Sequence, residues 1–161
     1  MGYWDEGEYE NAARIFRHTV CDTGAIGVNS IHYLTGCVGE MEDGNFRALR
    51  SFLQDVAAEH EDEEVAKVAN RFATHCLTER REYYDAMDEY DVVRRNADCL
   101  RDSVLAVIDY LAVCELAGED GDLDAYSGDI STQVHNLMEL LQDRTESGAT
   151  DILLPEDFMI V

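Results

Sequence analysis

The run Ser103–Ala117, SVLAVIDYLAVCELA, limits what this chain can fold into more than any other stretch. Wound at about 3.6 residues per turn, its Val, Leu, Ile, Ala, Tyr and Cys side chains point in nearly every direction. A helix that is apolar all round has to be surrounded by other elements. The run also carries Asp109 and Glu115 and falls short of the roughly 20 apolar residues that cross a bilayer. It reads as the buried core of a helical protein, not as a membrane span.

The surrounding sequence agrees with helix. From Glu61 to Ala117 there is no Gly and no Pro. One unbroken helix of that length does not fit a globular domain of this size. Asp62 is a cap for one start and Asp91, just before Val92 and Val93, for another. The pattern therefore predicts a fourth helix at about 63–90 and a fifth at about 92–117, with a break near Thr78 as the alternative. Upstream, Tyr9, Ala12, Ala13, Phe16 and Val20 recur at helical spacing. Asp22–Val28 holds Gly24 and Gly27 and reads as a loop. Asn29 or Ser30 then caps a second helix with Ile31, Leu34, Val38 and Met41 on one face. Asn45 caps a third, with Phe46, Leu49, Leu53 and Val56 inward. Gly118–Gly128 is an acidic loop, Asp129 caps a sixth helix, and Asp151–Val161 is an apolar tail around the single proline, Pro155. The reading is all-α: one domain over 1–161, a bundle of about six helices around a central apolar helix (about 92–117), with a short extended C-terminal tail. The tail is expected to cover the core or to dock a partner or second copy, giving a homodimer.

Charge narrows the partners. There are 35 acids and 12 bases, for a net charge of −23, and Lys67 is the lone lysine. Such a surface repels nucleic acid and anionic membranes and attracts cationic partners. Residues 119–161 hold 11 acids and one base, Arg144. Two carboxylate stripes stand out: Glu79, Glu82, Asp85 and Glu89 on the fourth helix, and Glu139, Asp143 and Glu146 on the sixth. Like charges one turn apart cost a helix a few tenths of a kcal/mol per pair, roughly. They repeat about every 5.4 Å, within a factor of two of the roughly 3.4 Å phosphate repeat of a DNA strand. With the loop acids Asp120, Asp122 and Asp124, these stripes are the candidate partner-binding residues.

Chemical motifs are sparse. Cys21, Cys37, Cys76, Cys99 and Cys114 contain no C-x-x-C and read as buried reduced thiols of a cytoplasmic protein. His18, His32, His60, His75 and His135 form no H-E-x-x-H or E-x-x-H, so the di-iron bundle signature is missing. Against the EF-hand spacing, Ala125 replaces the turn glycine and Ser131 stands where the bidentate Glu belongs. No phosphate-binding glycine loop occurs. No catalytic residue, metal ligand or cofactor is assigned, and the chain reads as non-enzymatic. Asp109 falls between Leu105, Val113 and Leu116 on the wheel, where a buried carboxylate needs a partner. Arg94, Arg95 and Arg101 stand too early on the expected helix to reach it.

In charge and size alone, the chain resembles the small acidic inhibitors of phages and mobile elements, such as DNA-mimic anti-restriction and anti-CRISPR proteins. That resemblance implies steric occupation of another protein's basic nucleic-acid-binding surface, without chemistry and without direct contact to nucleic acid. Two other readings stay open: a structural or adaptor subunit whose acidity reflects solubility or a high-salt cytoplasm, and a metal-binding helical bundle.

Overall fold

A computed structural model describes residues 6–120. They form six helices: α1 (Glu6–Thr19), α2 (Gly24–Glu40), α3 (Phe46–Glu59), α4 (Glu63–Glu79), α5 (Tyr83–Asn96) and α6 (Leu100–Glu119). No strand occurs among the described residues, so the all-α reading holds. The expected sixth helix after Asp129 and the apolar tail lie outside the described residues. The chain divides into two compact units, Met1–Arg80 and Arg81–Val161.

In the first unit, the apolar periodicity of each helix becomes a shared core. Val20, Ile31, Leu34, Val38, Leu49, Leu53 and Val65 are almost wholly removed from water, and Phe72 and Cys76 join them. Each large aliphatic side chain so buried contributes roughly 1.5–3 kcal/mol. α1 and α2 run antiparallel: the Phe16 and Tyr33 rings lie 5.3 Å apart, and the Thr19 and Ser30 hydroxyls meet at 2.6 Å. α3 and α4 form the second hairpin, where Arg50 Nη1 donates to the Ala73 carbonyl at 2.9 Å. α2 packs on α4 as well as on α1.

Two caps stand where the sequence placed them. Asn45 Oδ1 accepts from Ala48 N at 2.9 Å, and Asp62 Oδ1 accepts from Glu64 N at 2.9 Å. The start of α2 differs from expectation. Residues 24–28 are helical, with Thr23 at the N-cap position, so the helix begins about five residues before Asn29. Gly24 enters it at φ +63°, a conformation that costs glycine little. Gly27 is a packing residue, not a loop residue. A Cβ there would overlap the Asp22 carbonyl oxygen and come within 2.9 Å of Val65 Cγ2.

The span 62–117 also breaks differently. Its first interruption falls at Arg80–Glu82, close to the alternative site at Thr78, and its second at Ala97–Cys99. Asp91 caps nothing. It lies inside α5, where its carboxylate accepts from Arg94 Nη2 at 2.8 Å and from Arg95. The apolar helix therefore starts at Leu100, not at 92. The first break carries no glycine; Arg81 itself takes the left-handed conformation, φ 61°.

In the second unit α5 packs on α6. Ala86, Met87 and Tyr90 of α5 are buried, as are Val104, Leu105, Val107, Tyr110, Val113, Cys114 and Ala117 of α6. Asp109 is 4% exposed, so the acid of the apolar run is indeed interior, and it is not without an interaction partner. The thiols split: Cys37, Cys76 and Cys114 are buried, Cys99 is half-buried, and Cys21 is exposed, against the expectation of five buried thiols. Cys21 falls in the short turn after α1, where no neighbouring helix covers it.

Candidate partner-binding surface

The expected four-acid stripe does not share one helix. Glu79 is the last residue of α4, Glu82 is the N-cap position of α5, and Asp85 and Glu89 lie within α5. The left-handed turn at Arg81 separates Glu79 from the other three. Glu79 is instead tied to its own helix: His75 Nε2 stands 3.2 Å from Glu79 Oε1. The hydrogen bond from His75 holds the Glu79 carboxyl below its ordinary range. Glu79 also borders a surface depression of about 480 Å³ lined by Asp43, Gly44, Asn45, Phe46, Arg47 and Arg80. Two guanidinium groups make that surface mixed in charge. Glu82, Asp85 and Glu89 remain related by helical spacing. Asp85 is exposed, Glu82 and Glu89 are half-buried, and both of these last two are engaged with neighbours.

Asp120 is the C-cap of α6, not a loop residue free for a ligand. Tyr83 donates its hydroxyl to Asp120 Oδ2, and Arg81 Nε lies 3.6 Å from the same oxygen. The carboxylate thus ties the start of α5 to the end of α6. Asp122, Asp124, Glu139, Asp143 and Glu146 lie outside the described residues. Among the described residues, no three of His, Cys, Asp and Glu gather so that they could hold a metal ion. No described helix is long and apolar enough to cross a membrane.

Sequence reasoning passed over a denser group of acids. Glu59, Glu61, Asp62, Glu63 and Glu64 fall in six consecutive positions at the α3–α4 junction. The junction is fixed by hydrogen bonds to the α1–α2 turn. Asp62 Oδ2 accepts the Gly24 N–H at 2.7 Å while its other oxygen caps α4. Asp62 N donates to His60 Nδ1 at 2.9 Å, and His60 Nε2 lies 2.9 Å from the Val20 carbonyl. The imidazole therefore accepts at Nδ1 and donates from Nε2. The Gly24 N–H, together with the capped Glu64 N–H, holds the Asp62 carboxyl below its usual range. Asp22, exposed in the α1–α2 turn, is brought to this junction by the same clasp. Lys67 offsets only part of the charge, reaching Glu63 at 3.6 Å. The sequence signal was the acidic block itself, which serves first as a capping segment.

The helix ends show the same excess. α2, α3, α4 and α6 finish on Glu40, Glu59, Glu79 and Glu119, and none of these four helices has a base in its last turn. Comparison with protein-family models, curated proteins and solved structures found no match for the chain.

Proposed function

We propose that this protein is a non-enzymatic acidic inhibitor that occupies the basic nucleic-acid-binding surface of another protein. The observation that carries the reading is the placement of glutamate at four helix C-termini. A helix C-terminus is the negative end of the macrodipole, and a carboxylate there costs roughly 0.3–1 kcal/mol where a lysine or arginine would gain it. His75 relieves this at Glu79. The other three sites offer no base on the same turn. Acid has been retained where folding energy disfavours it, which fits a surface whose negative potential is itself the working property.

The helices supply what a nucleic-acid mimic needs, carboxylates on rigid backbone at fixed intervals. Glu82, Asp85 and Glu89 form one set, and the clasped α3–α4 junction forms a second. Counter-defence by phages or mobile elements, against restriction or CRISPR nucleases, is the setting this mode of inhibition suggests.

The test is affinity capture from a lysate of the source cells, with duplex DNA as competitor. The expected result is retention of a nucleic-acid-binding protein at low salt, with release by DNA or by added salt. The triple variant Glu82→Lys/Asp85→Lys/Glu89→Lys should lose the partner while keeping its circular dichroism. A retained partner indifferent to DNA would count against the mimic reading. Capture that survives the triple reversal moves the binding surface to the α3–α4 junction.

A further inference from the structure

α2 departs from the rest of the molecule in charge. Its 17 residues, GAIGVNSIHYLTGCVGE, include one carboxylate, Glu40, and no lysine or arginine. Each of the other five helices carries at least four charged side chains. Burial does not account for the difference, because one side of α2 faces water. Ile26 is 60% exposed and Tyr33 is 53% exposed, and Ile15, on the adjoining α1, is 61% exposed. Depletion of charge with exposed aliphatic and aromatic side chains is the composition of an interface core.

The exposed positions are also spaced for helix packing. Ile26, Asn29, Tyr33, Gly36 and Glu40 alternate at three and four residues and line one outward face. Gly36 sits in that line with nothing within 4 Å of where a Cβ would be. Inside a helix, glycine is destabilising relative to alanine by roughly 0.5–1 kcal/mol. No packing within the described residues offsets that cost at Gly36. At Gly27, on the opposite side of the same helix, close packing against Asp22 and Val65 does.

We infer that the outward face of α2 is a self-association seam, on which a second copy of this chain packs its own α2 in antiparallel orientation. The face is self-complementary about a two-fold axis at Ile31. In that register Ile26 of each copy stands opposite Gly36 of the other, a large side chain over an open site. Asn29 stands opposite Tyr33, an amide facing a phenol. A two-fold contact requires this reciprocity, since each residue meets its counterpart twice. Charge selects the occupant. A basic partner has few carboxylates to meet on this face. Two chains of net charge −23 that meet there bring one carboxylate each, Glu40, to the seam, fewer than any other described helix would bring. Only Glu40 comes near an acid, lying opposite Asp22 and the start of α2 in the second copy. Salt therefore tightens this association, whereas it loosens the acidic contact proposed above. The seam is short, so the dimer belongs to the weak, reversible class.

Sedimentation velocity on the full chain, over a wide concentration range and at low and high salt, tests the seam. The expected result is a monomer–dimer equilibrium that strengthens with salt. Ile26→Asp and Tyr33→Asp should each weaken it by about tenfold or more. Ile26 is exposed and Tyr33 meets its own chain at the Phe16 ring, so the helical circular dichroism of each variant is read beside its sedimentation and should stay unchanged. Val92→Asp, on the exposed side of α5, should leave the equilibrium as it is. In a Cys21→Ser background, Asn29→Cys/Tyr33→Cys should oxidise to a covalent dimer. A chain that stays monomeric at every concentration and salt overturns the inference. So does a dimer unmoved by the Ile26 and Tyr33 substitutions.

Discussion

Two glycines of α2 should respond in opposite directions to the same substitution. Gly27→Ala and Gly36→Ala each remove the backbone freedom that glycine brings to the unfolded chain, a gain of roughly 0.5–1 kcal/mol inside a helix. At Gly36 nothing opposes this gain, because the new methyl meets open space. At Gly27 the methyl meets the Asp22 carbonyl oxygen below contact distance, the Asp22 carbonyl carbon at 3.2 Å and Val65 Cγ2 at 2.9 Å. The first two are backbone atoms and cannot rotate away. Val65 is wholly buried at the start of α4. Overpacking of this kind costs roughly 1–3 kcal/mol. Gly36→Ala should therefore be more stable than the parent by about 0.5–1 kcal/mol, and Gly27→Ala less stable by about 1–2 kcal/mol. The assay is native-state hydrogen exchange at the buried α2 residues Ile31 and Leu34, which reads the opening of this helix locally. Dilute protein keeps association out of the measurement. If Gly27→Ala protects these amides as well as Gly36→Ala does, the close approach of α2 to the α1–α2 turn and to α4 is refuted.

Other consequences are open to measurement. Leu53→Ala, at a wholly buried site of α3, should cost about 2–5 kcal/mol in urea unfolding of the first unit. Asp62 has a lowered pKa when folded, so its contribution is present above the ordinary carboxylate range and is lost as pH falls through the folded value. The gap in melting temperature between the parent and Asp62→Asn should then be widest near neutrality and shrink in acid; a gap that is constant with pH contradicts the clasp. Burial pushes the Cys76 thiol up to about 12, so in the native protein a thiol reagent should modify Cys21 rapidly and Cys76 only on unfolding. Asp91→Ala should lower stability by about 1–3 kcal/mol in urea unfolding, more than an exposed ion pair would, because the carboxylate is only 17% exposed and serves two arginines.

Much of the helical order was legible because it rests on local chemistry. The caps at Asn45 and Asp62, and the apolar faces of α3 and α4, follow from side-chain type and spacing alone. The errors fell where a local signal had two meanings. Gly24 and Gly27 read as loop residues, yet one admits a positive φ at a helix start and the other admits a neighbour. Asp91 read as a cap because a carboxylate preceded two valines; its actual partners, Arg94 and Arg95, are equally local. The break at Arg81 had no punctuating residue, since an arginine occupies the left-handed conformation there. The acidic stripe was divided by that same break. The charge depletion of α2 was present in the sequence throughout, but it acquires meaning only once Ile26 and Tyr33 are known to face water.

The clasp between His60, Asp62, Val20 and Gly24 also orders events in time. Each hairpin, α1 with α2 and α3 with α4, closes over a short loop and can form early. The clasp joins residues separated by 38 and 40 positions, so its closure is expected after that of the hairpins. Contacts made after the folding barrier act on the escape rate from the native state, not on the rate of reaching it. Removing the imidazole of His60 should thus leave refolding nearly as fast as before and make unfolding faster. Refolding slowed as much as unfolding is sped would instead place the clasp within the folding barrier.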